Sequence, residues 1–207
     1  VDFSEFELQN NILPPFKACV DAGVKSFMNS FNIVNGIPAT GNAYLQRNIL
    51  KKEWGFKGFV VSDWGSIAEM IPHGYAKDGK QAAEFAINAG SDMDMESYLY
   101  VEHLATLVKE GKVNESTINE AAKRILKVKF EMGLFKNPYK YCNEEIEKNT
   151  VGKNEFQEGV LDMAKKSIVL LKNDNNLLPL KKSGQKIALI GALANDKTSP
   201  LGNWRLA

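Results

Sequence analysis

The sequence predicts an α/β fold, and three observations carry that prediction. Helical and extended segments alternate along the first half of the chain. The segment Gly58-Phe59-Val60-Val61 is apolar without alternation, the pattern of a strand covered on both faces. That segment stops at Ser62-Asp63-Trp64, so a carboxylate and an aromatic ring follow the C-terminal end of a buried strand. This is where α/β barrels carry their chemistry. Asp63 also has a plainer reading, as the N-cap of the helix that comes next, since Asp is a favoured cap residue.

The elements follow in order. Leu13-Pro14-Pro15-Phe16 opens a helix that runs to Asp21. Proline is tolerated in a first turn, where its missing N–H costs nothing, and Ala22-Gly23 ends the helix. Val24 to Phe31 reads as a weak strand. Asn32 to Gly41 is loop, with Asn35-Gly36 and Pro38 as turn signals. Asn42 to Trp54 is helical, with Tyr44, Leu45, Ile49, Leu50 and Trp54 near helical spacing. Gly55 closes it, and the Phe59–Val61 strand follows. Ile67, Met70 and Ile71 suggest a short helix stopped by Pro72. Asp78-Gly79 is a turn, and Lys80 to Asn88 an Ala-rich helix closed by Ala89-Gly90. Ser91 to Met95 is a short strand whose end again carries a carboxylate. Tyr98 to Val108 is helical. Alternation of this kind implies parallel strands with right-handed crossovers. Three strands are too few to close a barrel, so the sheet is either open or part of a larger barrel.

Beyond Gly111 the pattern changes. Ser116, with Asn119 and Glu120 after it, is a loose helix-start signal, and Ile118 to Met132 is a long helix ended by Gly133. The polar stretch from Lys136 reads as a linker. Gln157 to Lys166 is helical. Ile168–Leu171 reads as a strand, Asn173–Asn176 as a turn, and Leu177–Leu180 as a segment that pairs back. Ile187–Gly191 is a further strand, opening a second α/β domain.

Composition narrows the function classes. A formal net charge of +1 provides no field to recruit nucleic acid or acidic lipid. No apolar run is long enough to span a bilayer. Cys19 and Cys142 lack metal-ligand spacing and read as buried or free thiols rather than a disulfide. The sequence therefore calls for no metal, nucleic-acid or membrane partner. Lys51-Lys52, Lys165-Lys166 and Lys181-Lys182 read as solvated charge, and His103 as a solvated residue on a polar helix face. His73 is a loop histidine, read as hydrogen-bonded structure ahead of substrate contact.

Several ordered segments together resemble family 3 of the glycoside hydrolases, and within it the bacterial periplasmic β-glucosidases. They are Leu13-Pro14-Pro15-Phe16-Lys17 with Asp21-Ala22-Gly23; Met28-Asn29-Ser30-Phe31-Asn32 with Asn35-Gly36-Ile37-Pro38-Ala39; Trp54-Gly55-Phe56-Lys57-Gly58 running into Val61-Ser62-Asp63-Trp64; and Ala89-Gly90-Ser91-Asp92-Met93-Asp94-Met95. Ala121 to Leu126 with Met132-Gly133-Leu134-Phe135, and Ser167 to Asn173 with Leu177 to Leu180, extend the match. The resemblance implies that residues 1–135 are the C-terminal portion of a (β/α)8 TIM-like barrel. Residues 136–156 are then a linker, and 157–207 the start of a second α/β sandwich domain.

The activity so implied is a retaining, exo-acting β-glycosidase that removes terminal β-linked glucose from oligosaccharides without a cofactor. Asp63 matches the family's nucleophile, which attacks the anomeric carbon while a separate acid protonates the leaving oxygen. Trp64 matches an aromatic of the sugar pocket, with a core aromatic as its plainer reading. Met28 and Phe31 match pocket-lining residues at the end of the sixth barrel strand, against a core-packing alternative; the family often has Tyr at the position of Phe31. Asp92 matches an acidic residue that is more often structural. Glu69 and Glu96 match nothing in the family's pattern. The family's acid/base glutamate and several glycone-binding residues match no position here. The chain is therefore expected to be a fragment, inactive alone, that needs the remainder of its polypeptide to complete the barrel and the second domain. Family 3 relatives place it in the periplasm or outside the cell. A β-xylosidase of the same family is the nearest alternative, and a non-catalytic sugar-binding or structural member the more distant one.

Overall fold

The computed structural model describes residues 1–202, so the last five residues of the expected second domain, 203–207, lie outside the described residues. The chain forms two compact units, one over Val1–Cys142 and a second beginning at Asn143. The first unit is α/β. Its opening is helical: α1 (Glu5–Glu7) and a π-helical turn, Leu8–Ile12, which the sequence reading missed, run into α2 (Pro14–Asp21), the helix expected to end at Asp21. Ser4 starts this run by accepting the Glu7 N–H on its hydroxyl (3.1 Å).

β1 (Ser26–Met28) pairs in parallel with β4 (Phe59–Val61), Phe27 opposite Val60. Between them, β2 (Ile33–Val34) and β3 (Ile37–Pro38) form a small hairpin across Asn35-Gly36. Both turn residues have positive φ, 50° and 79°, the requirement that Asn-Gly meets best. The helix expected over Asn42–Trp54 is present as a π-helix, Tyr44–Glu53, ending with Trp54 N–H on Ile49 O (2.9 Å).

Gly58, just before β4, lies tight against Lys25, just before β1. A Cβ there would lie 2.1 Å from the Lys25 carbonyl oxygen, so no larger residue fits without a shift of backbone. Arg124 reaches in from α6 (Glu115–Glu131) and donates to Gly58 O (3.0 Å), anchoring the start of β4. That helix begins earlier than its sequence signal at Ser116, with Asn114 in the cap position.

The third expected strand, Ser91–Met95, is reduced to a single parallel bridge, Val61 opposite Met93. The reason lies in Asp92. Its Oδ2 accepts the Val60 N–H (2.8 Å), so a side chain replaces the carbonyl that would continue a ladder. The same carboxylate receives Lys51 Nζ at 2.8 and 2.7 Å, and Lys51 also donates to Gly90 O (2.6 Å). Both side chains of this pair are buried. Lys51 is thus not the solvated charge that the sequence suggested. It bridges the π-helix, the end of α4 (Gly79–Ala89) and the middle of the sheet. Desolvation pushes its pKa down to about 8, against the pull of Asp92.

Short α3 (Ser66–Glu69) inserts Ile67 and neighbouring Met70, both fully buried, beside Ala82 and Ala86 of α4. Asp78 caps α4 by accepting Gln81 N–H (2.8 Å). Leu107 of α5 (Leu99–Lys109) packs with Ala83, Ile87, Val113 and Ala121. Full burial of such a side chain contributes about 1.5–3 kcal/mol. Tyr100 donates its hydroxyl to Ser91 O (2.8 Å), and burial pushes the phenol well above its ordinary value.

The second unit differs from its sequence reading. The stretch read as linker contains α7 (Glu144–Thr150), capped by Asn143, and α8 (Asn154–Ser167) follows it. Ile168–Leu171 and Ile187–Gly191 do not form strands, and their apolar side chains are exposed. A strand exists only with a hydrogen-bonded neighbour, and among the described residues none lies beside these segments. Both cysteines are free and exposed.

Two expectations test the buried pair. Asp92→Ala strands Lys51 without a counter-charge and should cost about 3 kcal/mol in denaturant unfolding. Lys17→Ala, which breaks only the exposed Lys17–Asp21 pair, should cost under about 0.5 kcal/mol. Lys51 holds its proton less tightly folded than unfolded. Between about pH 8 and the ordinary lysine value of 10.5, the folded state therefore binds fewer protons. The contribution of this residue to stability should rise with pH across that window and fall away toward pH 8. Unfolding free energies at pH 8 and 10, compared with those of Lys51→Met, would show this as a steeper rise in the wild type.

Candidate active site

Asp63 lies two residues beyond the end of β4, the strand partnered on both sides, by β1 and by the Met93 bridge. Because the three segments are parallel, their C-terminal ends share one edge. Met28 stands opposite Val61 at that edge, and Asn29 N–H continues the pairing to Val61 O (3.0 Å).

Ser62 fixes the backbone just before Asp63. It is fully buried, donates its N–H to Met93 O (2.9 Å) and accepts Met95 N–H on Oγ (2.8 Å). Its hydroxyl donates to Asp63 O (3.0 Å). Beyond Trp64, Gly65 turns the chain with φ of 68° and donates its N–H to Met95 O (2.8 Å). A positive φ at this turn suits glycine, which has no Cβ to clash.

The carboxylate of Asp63 does not cap α3. The helix starts at Ser66 and its cap position is Gly65, which has no side chain to offer; the side chain that reaches a first-turn N–H is that of Ser97, accepting from Ala68 N–H (3.2 Å). Asp63 Oδ1 accepts only the adjacent Trp64 N–H (2.6 Å) among the hydrogen bonds described. A half-buried carboxylate on an immobilised backbone, not used up in capping, is available to a ligand. Trp64 beside it is 53% exposed, so it is not a core aromatic.

A buried polar network stands behind this edge, and sequence reasoning missed it. Asn29, one residue past β1, donates Nδ2 to Ser91 Oγ (2.8 Å). Ser91 Oγ also lies 2.9 Å from Thr40 O and 3.1 Å from Gln46 Oε1. Gln46 donates to Ala39 O and Thr40 O, both at 3.0 Å, and Thr40 Oγ1 donates to Ser66 Oγ (3.0 Å). Among the described residues, no buried side-chain nitrogen or oxygen lacks a partner. A satisfied network of this kind holds its members in one arrangement. Its sequence signal is faint: polar residues at the ends of apolar segments, each readable as a loop residue.

The remaining candidates are spread more widely. Met28 is 54% exposed and lines an apolar groove with Phe3, Phe16, Phe27 and Val60; Asp63 and Trp64 are not part of that groove. Phe31 is half-buried between β1 and β2. Asp92 belongs to the ion pair with Lys51. His73 is exposed, and His103 is partly buried beside Glu102 (3.6 Å). Among the described residues, no three His, Cys, Asp or Glu side chains gather as a metal set.

Residues 1–128 match the Glycosyl hydrolase family 3 N terminal domain, and residues 168–207 match its C-terminal domain. The chain belongs to glycosyl hydrolase family 3. It is 41% identical over 211 residues to the periplasmic beta-glucosidase of Salmonella typhimurium, covering all of this chain and 27% of that protein. It is 39% identical over 217 residues to a beta-xylosidase of Formosa agariphila, covering 99% of this chain and 30% of that one. The structure of a beta-glucosidase from Listeria innocua superposes with a TM-score of 0.73 at 40% identity, over 88% of this chain and 25% of that one. The same Listeria protein is known in complex with glucose. This family 3 chain thus spans roughly a quarter to a third of the length of the relatives it matches.

Ser62→Ala removes the acceptor of the Met95 N–H and leaves a buried donor unpaired, at a cost of about 1–3 kcal/mol. Amide hydrogen exchange at Met95 should accelerate in this variant, while exchange at Leu107, in another core cluster, changes far less.

Proposed function

We propose that this chain carries the nucleophile of a retaining, exo-acting β-glucosidase. The observation that supports this most is the Asp63 carboxylate. It stands at the C-terminal edge of parallel strands, on a backbone tied down from both sides, with an exposed indole next to it and no helix-capping duty. In this reading residues 1–135 are the later part of a (β/α)8 barrel, 136–156 a linker, and 157–207 the start of a second α/β sandwich domain. The rest of the polypeptide completes both domains.

The chemistry proceeds in two displacements. An Asp63 oxygen attacks the anomeric carbon of a terminal β-linked glucose as the glycosidic C–O bond breaks. The leaving oxygen takes a proton from an acid supplied by the remainder of the polypeptide. Water then attacks the same carbon, giving its proton to that group's conjugate base, and the bond to Asp63 breaks. The two carboxyl groups of such a pair stand about 5–5.5 Å apart. Trp64 offers a flat apolar face to the sugar C–H groups, with Met28 and Phe31 completing the wall.

The similarity to the Formosa beta-xylosidase, nearly as high as that to the Salmonella protein, favours xylose as the second candidate for the terminal sugar. The Salmonella relative is a periplasmic beta-glucosidase, which supports a periplasmic or secreted location. No helix among the described residues is long and apolar enough to cross a membrane.

The test is covalent trapping. The full-length protein is treated with a 2-deoxy-2-fluoro-β-glucoside bearing a very good leaving group, and the label is mapped by peptide sequencing. A label on the peptide holding Asp63 is the expected result. A label on another carboxylate would overturn the assignment, and no label with either the glucoside or the matching xyloside would favour a non-catalytic member. In parallel, Asp63→Asn should lower kcat on the order of 10⁴-fold with the fold kept, because shape is retained and the nucleophilic charge is lost.

A further inference from the structure

Val60, in the middle of β4, makes one of its strand hydrogen bonds to a side chain. On the edge facing Met93 the parallel pairing is regular at first. Met93 N–H donates to Val60 O (3.1 Å) and Ser62 N–H to Met93 O (2.9 Å). The next rung back would take Val60 N–H to the carbonyl of Ser91, two residues before Met93. That carbonyl is turned to another partner, the Tyr100 hydroxyl (2.8 Å). Val60 N–H goes instead to Asp92 Oδ2 (2.8 Å), and Asp92 N–H returns to Val60 O (2.8 Å). One residue thus clasps both backbone polar groups of Val60.

The clasp is itself held from behind. Lys51 Nζ meets both Asp92 oxygens, at 2.8 and 2.7 Å, and also donates to Gly90 O (2.6 Å). Both side chains are buried. A buried ion pair brings little net stability over apolar residues of similar size, so stability alone does not account for placing one here. What the pair controls is the rung just before the nucleophile. Asp63 stands three residues beyond Val60 along the same strand, and Ser62 makes the bond between them to Met93 O. A shift at Val60 is passed along the strand to the Asp63 backbone. We propose that Asp92, held by Lys51, is a positioning residue for the reaction: through Val60 N–H it fixes where along the sheet Asp63 presents its carboxylate.

This proposal rests on the reading of Asp63 as nucleophile, and its test separates the two. The full-length protein is labelled with the 2-deoxy-2-fluoro-β-glucoside at saturation, and the labelling rate reports attack by Asp63. The dissociation constant of glucose, measured beside it, reports the pocket. Two double variants are compared. Lys51→Met with Asp92→Asn removes both charges and keeps an oxygen to accept Val60 N–H. Lys51→Met with Asp92→Leu has nearly the same shape and no acceptor. The Leu variant should label at least about tenfold more slowly than the Asn variant with glucose affinity unchanged, since a misplacement of about 1 Å can cost on the order of 10²-fold. Leu107→Ala destabilises a core cluster away from this rung and should label at the wild-type rate. Lys51→Met with Asp92→Ala replaces the Leu variant should the larger side chain prevent folding. Equal labelling rates with and without the acceptor would overturn the proposal, and so would a loss of glucose affinity as large as the loss of rate. A wild-type protein that takes no label on Asp63 would defeat the nucleophile reading itself, and the positioning role with it.

Discussion

The buried contact between Lys51 and Asp92 holds the centre of the first unit together. One carboxylate receives a lysine ammonium and a strand N–H, and the same ammonium reaches the last carbonyl of α4. A π-helix, a helix C-terminus and the central strand are joined at one point away from water. Pairs of this kind bring little net stability compared with an apolar replacement. Their effect is on register: Asp92 can reach Val60 N–H in one alignment only, and that alignment decides where β4 ends relative to Met93.

The position of Asp63 follows from that register. With Val61 set opposite Met93 on one side and Met28 on the other, Ser62 meets the Met93 and Met95 backbone, and the chain leaves the sheet at Asp63. The network from Asn29 through Ser91 to Thr40, Gln46 and Ser66 ties this edge to the π-helix and to α3. The backbone at Asp63 is thus held by buried hydrogen bonds, while its carboxylate stays half-buried and the Trp64 ring stays exposed.

Much of the first unit was legible in the sequence because its signals are local. Valine density without alternation marked β4; Asp78 and Gly90 bracketed α4; Asn35-Gly36 marked a turn whose two-residue strands are too short for any periodic signal. Lys51 was misread for a physical reason. A lysine in a polar run is usually solvated, and nothing nearby in sequence announces a carboxylate 41 residues away. Ser91–Met95 was read as a strand from its flanking pattern, and only the Asp92 side chain in the ladder position prevents it. In the second unit, apolar segments with strand composition remain unpaired, since composition states a preference and only a neighbouring strand satisfies it.

The sequence by itself determined the α/β class of the first unit, the family, and the presence of a carboxylate and an indole where a buried strand stops. Those properties depend on residue type and short-range spacing, which the chain carries in one dimension. The tertiary structure decided that Asp63 is spared from capping and that Lys51 and Asp92 lock the sheet. Each of these is a choice among partners distant in sequence, and such a choice exists only once backbone groups compete for the same hydrogen bonds in space.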